Sequence, residues 1–529
     1  MATTPQITST TLWRLCAIVF VVVLSVVAVI APLVSVLGRG LVWPDEVTRT
    51  YLVTVLRGTL WQATLSTGLV VLLAMPMAWA MVRVPGVTAS ALAVVVAVPF
   101  VMPAPVVATM FAVLCGRESW CAAVLGLHVP QGLSLVVLVH AWYNTGVLVR
   151  VLVEAWHGIH GRYGAAAAAL GANPWRRFVT LEWPLLRPAC VAGVTLVFLY
   201  CVGSFGVVLL LGGGQVPSLE VETWRQTSQL LRLDVAAGLA VIQLMLSGGL
   251  LLIADRVQSP QPYDASAGYH QIPPHGATRI VAYLIQGCGL VCVVLPFVVV
   301  VWRLQYVTDW SALWHLLNQP VRGSGLFMSP VAATLRSALI ALAVAIIALV
   351  VAWMSSTLPA VVRMLTIVPV GISAVTLGLG YLLWFGGWGV LTAWWLVVLA
   401  HVVIALPLMT RQLTLARQRL ALHYGWAAAT LGATPLRQWY SVEVPLLRRA
   451  IIAAALFGFA ISLGDFAASL LLTRPDAVTA PVYIARLLGR PGVLNFQLAQ
   501  LLSLMLACCC LLVMIGAELL VSARHQRAQ

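Results

Sequence analysis

Apolar blocks of about 20 residues recur along almost the whole chain, and they constrain the fold more than any other feature. A helix of that length crosses the roughly 30 Å hydrocarbon core of a bilayer. The blocks lack the strict alternation of barrel strands, so each predicts a helix that satisfies its own backbone polar groups. With 61% hydrophobic and 9% charged residues, the chain is predicted to be an all-α integral membrane protein with twelve transmembrane helices. The predicted spans are residues 12–37, 59–82, 89–114, 132–152, 188–211, 236–254, 280–302, 331–354, 364–385, 389–410, 449–472 and 496–521.

Arginines predict the orientation of these spans. An even number of spans leaves both termini on one side, and more than half of the 30 basic residues fall in the connections on that side or in the tails. Arginine-rich connections stay in the cytoplasm, so both termini are predicted to be cytoplasmic. The apolar run from Leu12 to Leu37 is too long for a signal peptide and is predicted to be retained as the first span. The net charge of +15 is spread without a dense basic tract, which argues against a nucleic-acid partner.

The second half of the chain repeats the first. The offset that aligns His140 with His401 also aligns residues 163–189 with residues 424–450 without a gap. Because each half carries an even number of spans, the halves have the same topology and are predicted to face each other about an axis normal to the membrane. The predicted divisions are a first half at 1–254 with its core at about 56–254, a cytoplasmic linker at 255–279, and a second half at 280–529 with its core at about 330–522.

The best-matched part of the repeat lies outside the predicted spans, in two long connections at residues 153–187 and 411–448. Each contains an Ala-rich segment, a Leu-Gly-Ala-x-Pro turn and a short amphipathic segment. Alanine favours a helix, glycine permits a turn after it, and proline suits the first turn of the next helix. Each connection is therefore predicted to project two short helices into the cytoplasm, with Gly171 or Gly432 at the tip.

These paired connections resemble the EAA loops of ABC importer permeases, which dock in a groove on the ATP-binding subunit. The resemblance implies the type I importer fold with two six-helix repeats, a cytosolic ABC ATPase dimer as one partner and a periplasmic substrate-binding protein as another. Glu182 and Glu443 match the family pattern, whereas Ala165 and Trp426 replace the glutamate that names the loop. The residues that correspond to the docking tips are Leu170, Gly171, Ala172, Asn173 and Pro174 in the first half and Leu431, Gly432, Ala433, Thr434 and Pro435 in the second.

Three further segments resemble the thiamine-importing members of this family. They are LEWPLLR at 181–187, LLLGGG at 209–214 followed by SLEV at 218–221, and SLGDF at 462–466. The resemblance implies transport of thiamine or its phosphate esters across the bacterial inner membrane, with iron(III) or another small solute as the alternative cargo. A secondary transporter is the alternative from another class, but such transporters use intramembrane charges or broken helices for ion coupling, and the spans hold almost no such charges.

Residues that could carry chemistry are few. The chain has no lysine, so it cannot form a Walker motif, and ATP hydrolysis is assigned to a separate subunit. No Ser/His, paired-carboxylate or metal-ligand set is spaced for catalysis, so neither an enzymatic activity nor a cofactor or metal is predicted. Asp465 stands in an apolar span and aligns with Ser204. It is predicted to line a substrate pathway, to form a structural ion pair or hydrogen bond, or to lie near the membrane surface.

Two other features leave alternatives open. Cys115 and Cys121 lie in a predicted periplasmic insertion, where they form a small disulfide loop or remain free thiols. Pro99 and Pro369 mark corresponding spans, which indicates either bent helices that line the pathway or ordinary helix irregularity.

Overall fold

The computed structural model describes residues 9–40, 46–116, 119–126, 129–159, 161–257, 276–307, 309–320, 327–389, 394–420, 424 and 426–522. Every regular element within these ranges is helical, and short 3₁₀ and π-helical segments join some of the α-helices. The prediction of an all-α membrane protein is therefore confirmed. The α-helices of the first half are α1 Ser9–Ser25, α2 Ala31–Gly40, α3 Glu46–Arg83, α4 Val87–Val95, α5 Ala104–Cys115, α6 Trp120–Leu125, α7 Leu133–His157, α8 Gly161–Ala169, α9 Pro174–Arg177, α10 Trp183–Val202, α11 Gly206–Leu211, α12 Leu219–Ser228 and α13 Leu233–Val257. Those of the second half are α14 Ala277–Arg303, α15 Trp310–Asn318, α16 Pro330–Ser356, α17 Ala360–Ile367, α18 Ala374–Gly386, α19 Trp395–Leu420, α20 Trp426–Thr430, α21 Pro435–Gln438, α22 Val444–Gly464, α23 Ala467–Leu472, α24 Ala480–Leu488 and α25 Val493–Ser522.

The number of spans agrees with the sequence prediction. Among the described residues, 11 helices are long and apolar enough to cross a membrane, or 12 if the bent pair Ala360–Gly371 and Ala374–Gly386 forms one span. The bounds differ more than the number does. The second span is a 38-residue helix, α3, which begins well before the predicted start at residue 59.

Prolines interrupt the third and ninth spans, where the sequence predicted either a bend or irregularity. In the third span, α4 passes into a 3₁₀ turn at Pro99–Val101 before α5 begins. In the ninth span, the segment Ala360–Gly371, which comprises α17 and the 3₁₀ turn Val368–Gly371, meets α18 at 105°. Proline lacks the N–H that a continuous helix would donate, so a new helix starts after each turn. The bend in the ninth span is thus confirmed, and a role in lining the pathway stays a prediction.

The fifth and eleventh spans were predicted as continuous helices at 188–211 and 449–472, and this is wrong. α10 ends at Val202 and α11 begins at Gly206, while α22 ends at Gly464 and α23 begins at Ala467. Glycine, which has a low helix propensity, stands at both breaks, at Gly203 and Gly464. The residue that follows each glycine bonds to a histidine instead of continuing the helix, as described below.

One compact unit comprises Pro44–Glu222 and Ile242–Thr308. We call it the first-loop body, because it contains the first long connection, 153–187. Helices α3, α7 and α10 pack together in it, and α14 packs on α3, α4 and α5. Gln286 of α14 fixes this contact, because its Nε2 donates to the carbonyl oxygens of Ala80 at 2.8 Å and Val84 at 3.0 Å, while Thr88 donates to its Oε1. A buried amide that satisfies two carbonyls at the end of α3 holds α14 in one register.

The other unit comprises Met1–Trp43, Thr223–Val241 and Asp309–Gln529, and we call it the second-loop body. Helices α16, α19 and α22 pack together in it, α1 packs on α16 and α17, and α2 packs on α18. The hydroxyl of Tyr381 donates to the carbonyl oxygen of Ala28 at 3.0 Å, inside the π-helical segment Val26–Ile30 of the first span. The first span of each sequence half therefore packs in the body that holds the long connection of the other half, 411–448 or 153–187. The predicted boundaries of the two sequence halves, at 254 and 280, stay a prediction. Residues 258–275 of the predicted linker lie outside the described residues.

Cys115 and Cys121 are both free thiols in the structure. Cys115 is the last residue of α5 and is buried, whereas Cys121 is part of α6 and is partly exposed. The two alternatives left open by the sequence thus resolve to free thiols here.

A prediction follows from the close approach of α7 to the end of α4. A Cβ atom on Gly146 would overlap the carbonyl oxygen of Val96, and a backbone atom cannot yield as a flexible side chain can. We expect Gly146→Ala to cost about 1–3 kcal/mol of overpacking strain, seen as a lower unfolding temperature in detergent. Gly68→Ala in α3 is the matched control, because nothing lies within 4 Å of its added Cβ. Equal unfolding temperatures for the two variants would contradict this packing.

Candidate functional site

The first connection between spans four and five folds as a helix, a tight turn and a second helix. After α8, the Ala172 N–H donates to the carbonyl oxygen of Ala167 at 3.0 Å, and Gly171 between them has a φ of 76°. This six-residue closure with a left-handed glycine is the Schellman helix end, which an L side chain at the glycine would strain. Asn173 then caps α9, because its Oδ1 accepts from the Arg176 N–H at 2.7 Å, and Pro174 takes the first helical position.

The second connection has the same turn. The Ala433 N–H donates to the carbonyl oxygen of Ala428 at 3.1 Å, and Gly432 has a φ of 74°. Thr434 takes the place of the asparagine, and its Oγ1 accepts from the Arg437 N–H at 3.4 Å. Two turns built alike at the predicted positions confirm the helix–turn–helix geometry of both loops. The docking role of these residues stays a prediction.

The leucine of each turn is strongly exposed. Leu170 exposes 88% and Leu431 exposes 86% of the surface available to them, and Trp175 of α9 exposes 73%. An added Cβ at either turn glycine would meet nothing within 4 Å. Each loop therefore ends in a small, open tip with one protruding aliphatic side chain. The side chains of Ala165, Trp426 and Pro435 lie outside the described residues.

The second helix of each loop runs into the following span without a break. A π-helical segment at Phe178–Glu182 joins α9 to α10, and one at Trp439–Glu443 joins α21 to α22. A π-helical turn inserts one residue into the α-helical repeat without interrupting the hydrogen-bonded backbone, and such turns often mark functional sites. Each tip is therefore joined to the following span by a continuous helical backbone.

A buried carboxylate closes the first π-helical segment. Glu182 exposes 1% of its side chain, and its two oxygens accept from Nη2 of Arg83 at 2.7 and 2.8 Å. Nε1 of Trp156 donates to the same carboxylate at 3.1 Å, and Nε of Arg177 lies 3.3 Å away. A buried charge with these partners is stable, and one left without them is costly. The loop is thereby tied to the ends of α3 and α7.

The equivalent carboxylate of the second loop is less buried. Glu443 accepts from Nη2 of Arg417 at 2.8 and 3.0 Å, and the side chains expose 26% and 20% respectively. The guanidinium of Arg417 lies 5.1 Å from the ring centroid of Trp353 in α16, which is a cation–π distance. This loop is therefore tied to the ends of α16 and α19.

Histidines hold the two interrupted spans. In the first-loop body, Nε2 of His140 lies 2.7 Å from Oγ of Ser204, and Nδ1 lies 3.0 Å from Oγ of Ser66. His140 is buried in α7, so this hydrogen-bonded chain links the second, fourth and fifth spans.

In the second-loop body, the corresponding residues add a carboxylate. Nε2 of His401 lies 3.1 Å from Oδ2 of Asp465 and 3.0 Å from Oγ of Ser469, and Nδ1 lies 2.8 Å from Oγ of Ser462. Because a carboxylate only accepts, Nε2 carries a proton. The same Oδ2 accepts from the Ser469 N–H at 2.9 Å in the first turn of α23. Asp465 thus has the structural partners that one sequence alternative predicted, and the pathway role of Asp465 and Ser204 stays a prediction.

The turns at Gly171 and Gly432 were predicted from the sequence, whereas the contacts that hold the loops and the interrupted spans were not. The π-helical segments, the Arg83–Glu182 pair and the histidine bridges are absent from the sequence prediction, although the alignment of His140 with His401 was a signal for the last of these. Among the described residues, no group of three or more His, Cys, Asp or Glu side chains is arranged to hold a metal ion.

The fold is that of a multi-span membrane protein with two matched helix–turn–helix loops, and comparison with known proteins defines its class. Residues 70–258 match the family described as binding-protein-dependent transport system inner membrane component. The chain is 28% identical over 475 residues to the thiamine transport system permease protein of Escherichia coli (strain K12), covering 85% of each chain. It is 28% identical over 508 residues to that of Brucella abortus (strain 2308), covering 90% of this chain and 89% of the relative.

A shorter match has higher identity. The chain is 33% identical over 162 residues to the molybdenum transport system permease protein of Azotobacter vinelandii, which is 30% of this chain and 72% of that protein. The chain therefore belongs to the family of inner-membrane permeases of binding-protein-dependent transport systems. It is a multi-pass transport subunit of the ABC importer class rather than an enzyme, and the predicted resemblance to ABC importer permeases is confirmed.

A test of the histidine bridges uses the difference between the two bodies. Asp465→Ser copies the first body, where Ser204 bonds to the histidine, so we expect membrane abundance within about twofold of the parent protein. Asp465→Leu leaves the His401 Nε2 and the Ser469 N–H without that acceptor, which costs about 1–3 kcal/mol for a buried donor, and should lower abundance clearly. Quantitative immunoblots of membranes measure both. Equal abundance of the serine and leucine variants would show that this hydrogen bonding does not hold the interrupted span.

Proposed function

We propose that this chain is the permease subunit of an ATP-driven importer that carries thiamine or its phosphate esters across the bacterial inner membrane. The observation that carries the ATP-driven part is the pair of matched tips with Leu170 and Leu431 exposed. The proposed cargo rests on the two thiamine transport system permease proteins named above, whose matches cover 85% or more of this chain and of the relative. That extent favours thiamine over iron(III).

Two partners follow from this function. A cytosolic ABC ATPase dimer binds one tip in each subunit, and a periplasmic binding protein delivers the substrate from the other side. The chain supplies no lysine for a phosphate-binding loop, so the ATPase subunits hydrolyse the nucleotide. In this arrangement both termini and both loops are cytoplasmic, as the arginine distribution predicts.

The loops convert closure of the ATPase dimer into motion of the spans. When the ATPase subunits approach each other, they displace the tips, and the continuous backbone from α9 to α10 and from α21 to α22 carries this displacement into the fifth span of each half. The ion pairs at Glu182 and Glu443 make the second and fourth spans move with it. The substrate pathway then opens to alternate sides.

Asp465 and Ser204 remain our candidates for contact with the substrate. Thiamine is a cation, and a carboxylate in a weakly hydrated cavity attracts a cation more strongly than in water. Asp465 exposes 8% of its side chain and bonds to His401, so it would act by its charge at short range rather than as part of a cage. One carboxylate without further acids suits transient passage rather than capture.

The docking proposal predicts the effect of charge at the tips. We expect Leu170→Asp and Leu431→Asp, alone and combined, to leave membrane abundance unchanged, since these side chains are 88% and 86% exposed. The combined variant should reduce co-purification of the ATPase subunit and thiamine uptake by at least about tenfold, because a charge buried in an apolar groove costs several kcal/mol. Val87→Asp and Val361→Asp are controls, with exposures of 88% and 80% at other helix starts. Normal co-purification with the combined variant would refute tip docking.

The cargo proposal predicts a charge effect that is separable from folding. Because Asp465→Ser keeps a hydrogen bond to His401 in our account, we expect normal abundance together with lower uptake of thiamine at a fixed concentration of binding protein. Uptake per folded permease is the measured quantity, in proteoliposomes that contain the ATPase subunit. Unchanged uptake per folded permease would remove Asp465 from the pathway and leave it only its structural role.

A further inference from the structure

The two halves carry different residues at the cytoplasmic end of the second span. Pro99 aligns with Pro369, and the same offset pairs Ala104 with Ala374, the residues at which α5 and α18 begin. That offset places Arg83, the last residue of α3, opposite Trp353 near the end of α16. An arginine in one half therefore corresponds to a tryptophan in the other.

The fourth span shows the reverse exchange. The offset that pairs His140 with His401 places Trp156 of α7 opposite Arg417 of α19. Each half therefore has one arginine and one tryptophan at this pair of positions. The first half has the arginine on the second span, and the second half has it on the fourth.

Two contacts of the pair are the same in both halves despite the exchange, and the bond from Trp156 Nε1 to Glu182 is a further contact of the first half. In each half, Nη2 of the arginine bonds to both oxygens of the glutamate that ends the π-helical segment, at 2.7 and 2.8 Å for Glu182 and at 2.8 and 3.0 Å for Glu443. The tryptophan contacts the aromatic residue that begins the segment. Ring centroids are 6.4 Å apart for Trp156 and Phe178, and 6.4 Å apart for Trp353 and Trp439. The pair thus contacts the first and last residues of the π-helical segment in both halves.

We infer that the exchanged Arg–Trp pair is the positioning element of each coupling loop, and that it functions in either arrangement. Its role is to tie the π-helical segment to the second and fourth spans, so that displacement of the tip moves three spans together. The inference rests on the proposed function for the meaning of that displacement. The exchange itself rests only on contacts and alignment within each body.

Physical chemistry explains why the pair can be exchanged and why single changes fail. A buried glutamate needs a cation, and either helix end can supply one because both approach the carboxylate. A second arginine in place of the tryptophan would bring like charges together, and a second tryptophan in place of the arginine would leave the carboxylate without the arginine nitrogen that bonds to both of its oxygens. In the first half Arg177 Nε lies 3.3 Å from Glu182, and it offers one contact rather than two.

The two loops differ in how strongly they depend on the pair. Glu182 and Trp156 each expose 1%, whereas Glu443 exposes 26% of its side chain. Loss of a partner is more harmful for a buried charge than for one that water reaches. Single changes in the first half are therefore expected to be the more damaging.

The test is an exchange experiment in the complete transporter. The variants are Arg83→Trp, Trp156→Arg and their combination, with the converse set Trp353→Arg, Arg417→Trp and their combination. Arg187→Trp is the control, because Arg187 is an exposed arginine in α10 that makes no contact with Glu182 in the described structure. The measurements are the unfolding temperature of the permease alone and the thiamine taken up per ATP hydrolysed in proteoliposomes with the ATPase subunit and binding protein.

We expect Arg83→Trp to lower uptake per ATP by about tenfold or more and the unfolding temperature by several degrees, and Arg187→Trp to change neither. The combined variant should recover uptake per ATP to within about threefold of the parent protein, as for residues that form one unit. A combined variant no better than Arg83→Trp, or an Arg83→Trp variant equal to the parent protein, would overturn the inference. If the parent complex takes up no thiamine, the proposed cargo is wrong. The unfolding temperatures of the parent protein, Arg83→Trp, Trp156→Arg and their combination then still show whether the exchanged pair can replace the original one.

Discussion

The attachment of the two helix–turn–helix loops depends on two carboxylates, one at the base of each loop. Glu182 is buried with Arg83, Trp156 and Arg177 around it, and Glu443 is held by Arg417. A carboxylate in such a place is stable only with its partners, so it fixes the ends of three spans at one point. These ion pairs fix the position of each loop at its base, so the tip at Gly171 or Gly432 needs no packing contacts of its own.

The bilayer imposes a second constraint, on where the backbone may be irregular. Within a membrane, irregular backbone is tolerated where neighbouring groups satisfy its donors and acceptors. At the interruptions after α10 and α22, side chains meet this condition: Nε2 of Gln62 donates to the carbonyl oxygen of Cys201 at 2.7 Å, and Oδ2 of Asp465 accepts from the Ser469 N–H at 2.9 Å. The interruptions at Pro99 and Pro369 meet it because proline has no N–H to satisfy. The interrupted fifth and eleventh spans also occupy equivalent positions, and a histidine bonds to each of them.

Periodicity and composition predicted the helices, their number and the turns at Gly171 and Gly432, since those depend on local residue properties. The breaks at Gly203 and Gly464 were not predicted, because a continuous apolar run predicts one helix. The residue after each glycine, Ser204 or Asp465, contacts a histidine that is distant in sequence, and local pattern does not show this. The anchor at Glu182 was also missed, since Arg83 lies far from it in sequence and only folding brings them to 2.7 Å. The contact of Gln286 in α14 with the end of α3 was missed for the same reason, because its partners are distant in sequence.

The central claim is that the two tips bind the ATPase subunits from the cytoplasm. Photoreactive amino acids placed at Leu170 and at Leu431 in membranes that contain the whole transporter test it most directly, with Trp314 of α15, which exposes 68%, as a position on the opposite side in our account. The account predicts that both tip positions crosslink to the ATP-binding subunit, and that position 314 does not. Crosslinks from either tip to the periplasmic binding protein, or from position 314 to the ATP-binding subunit, would contradict it.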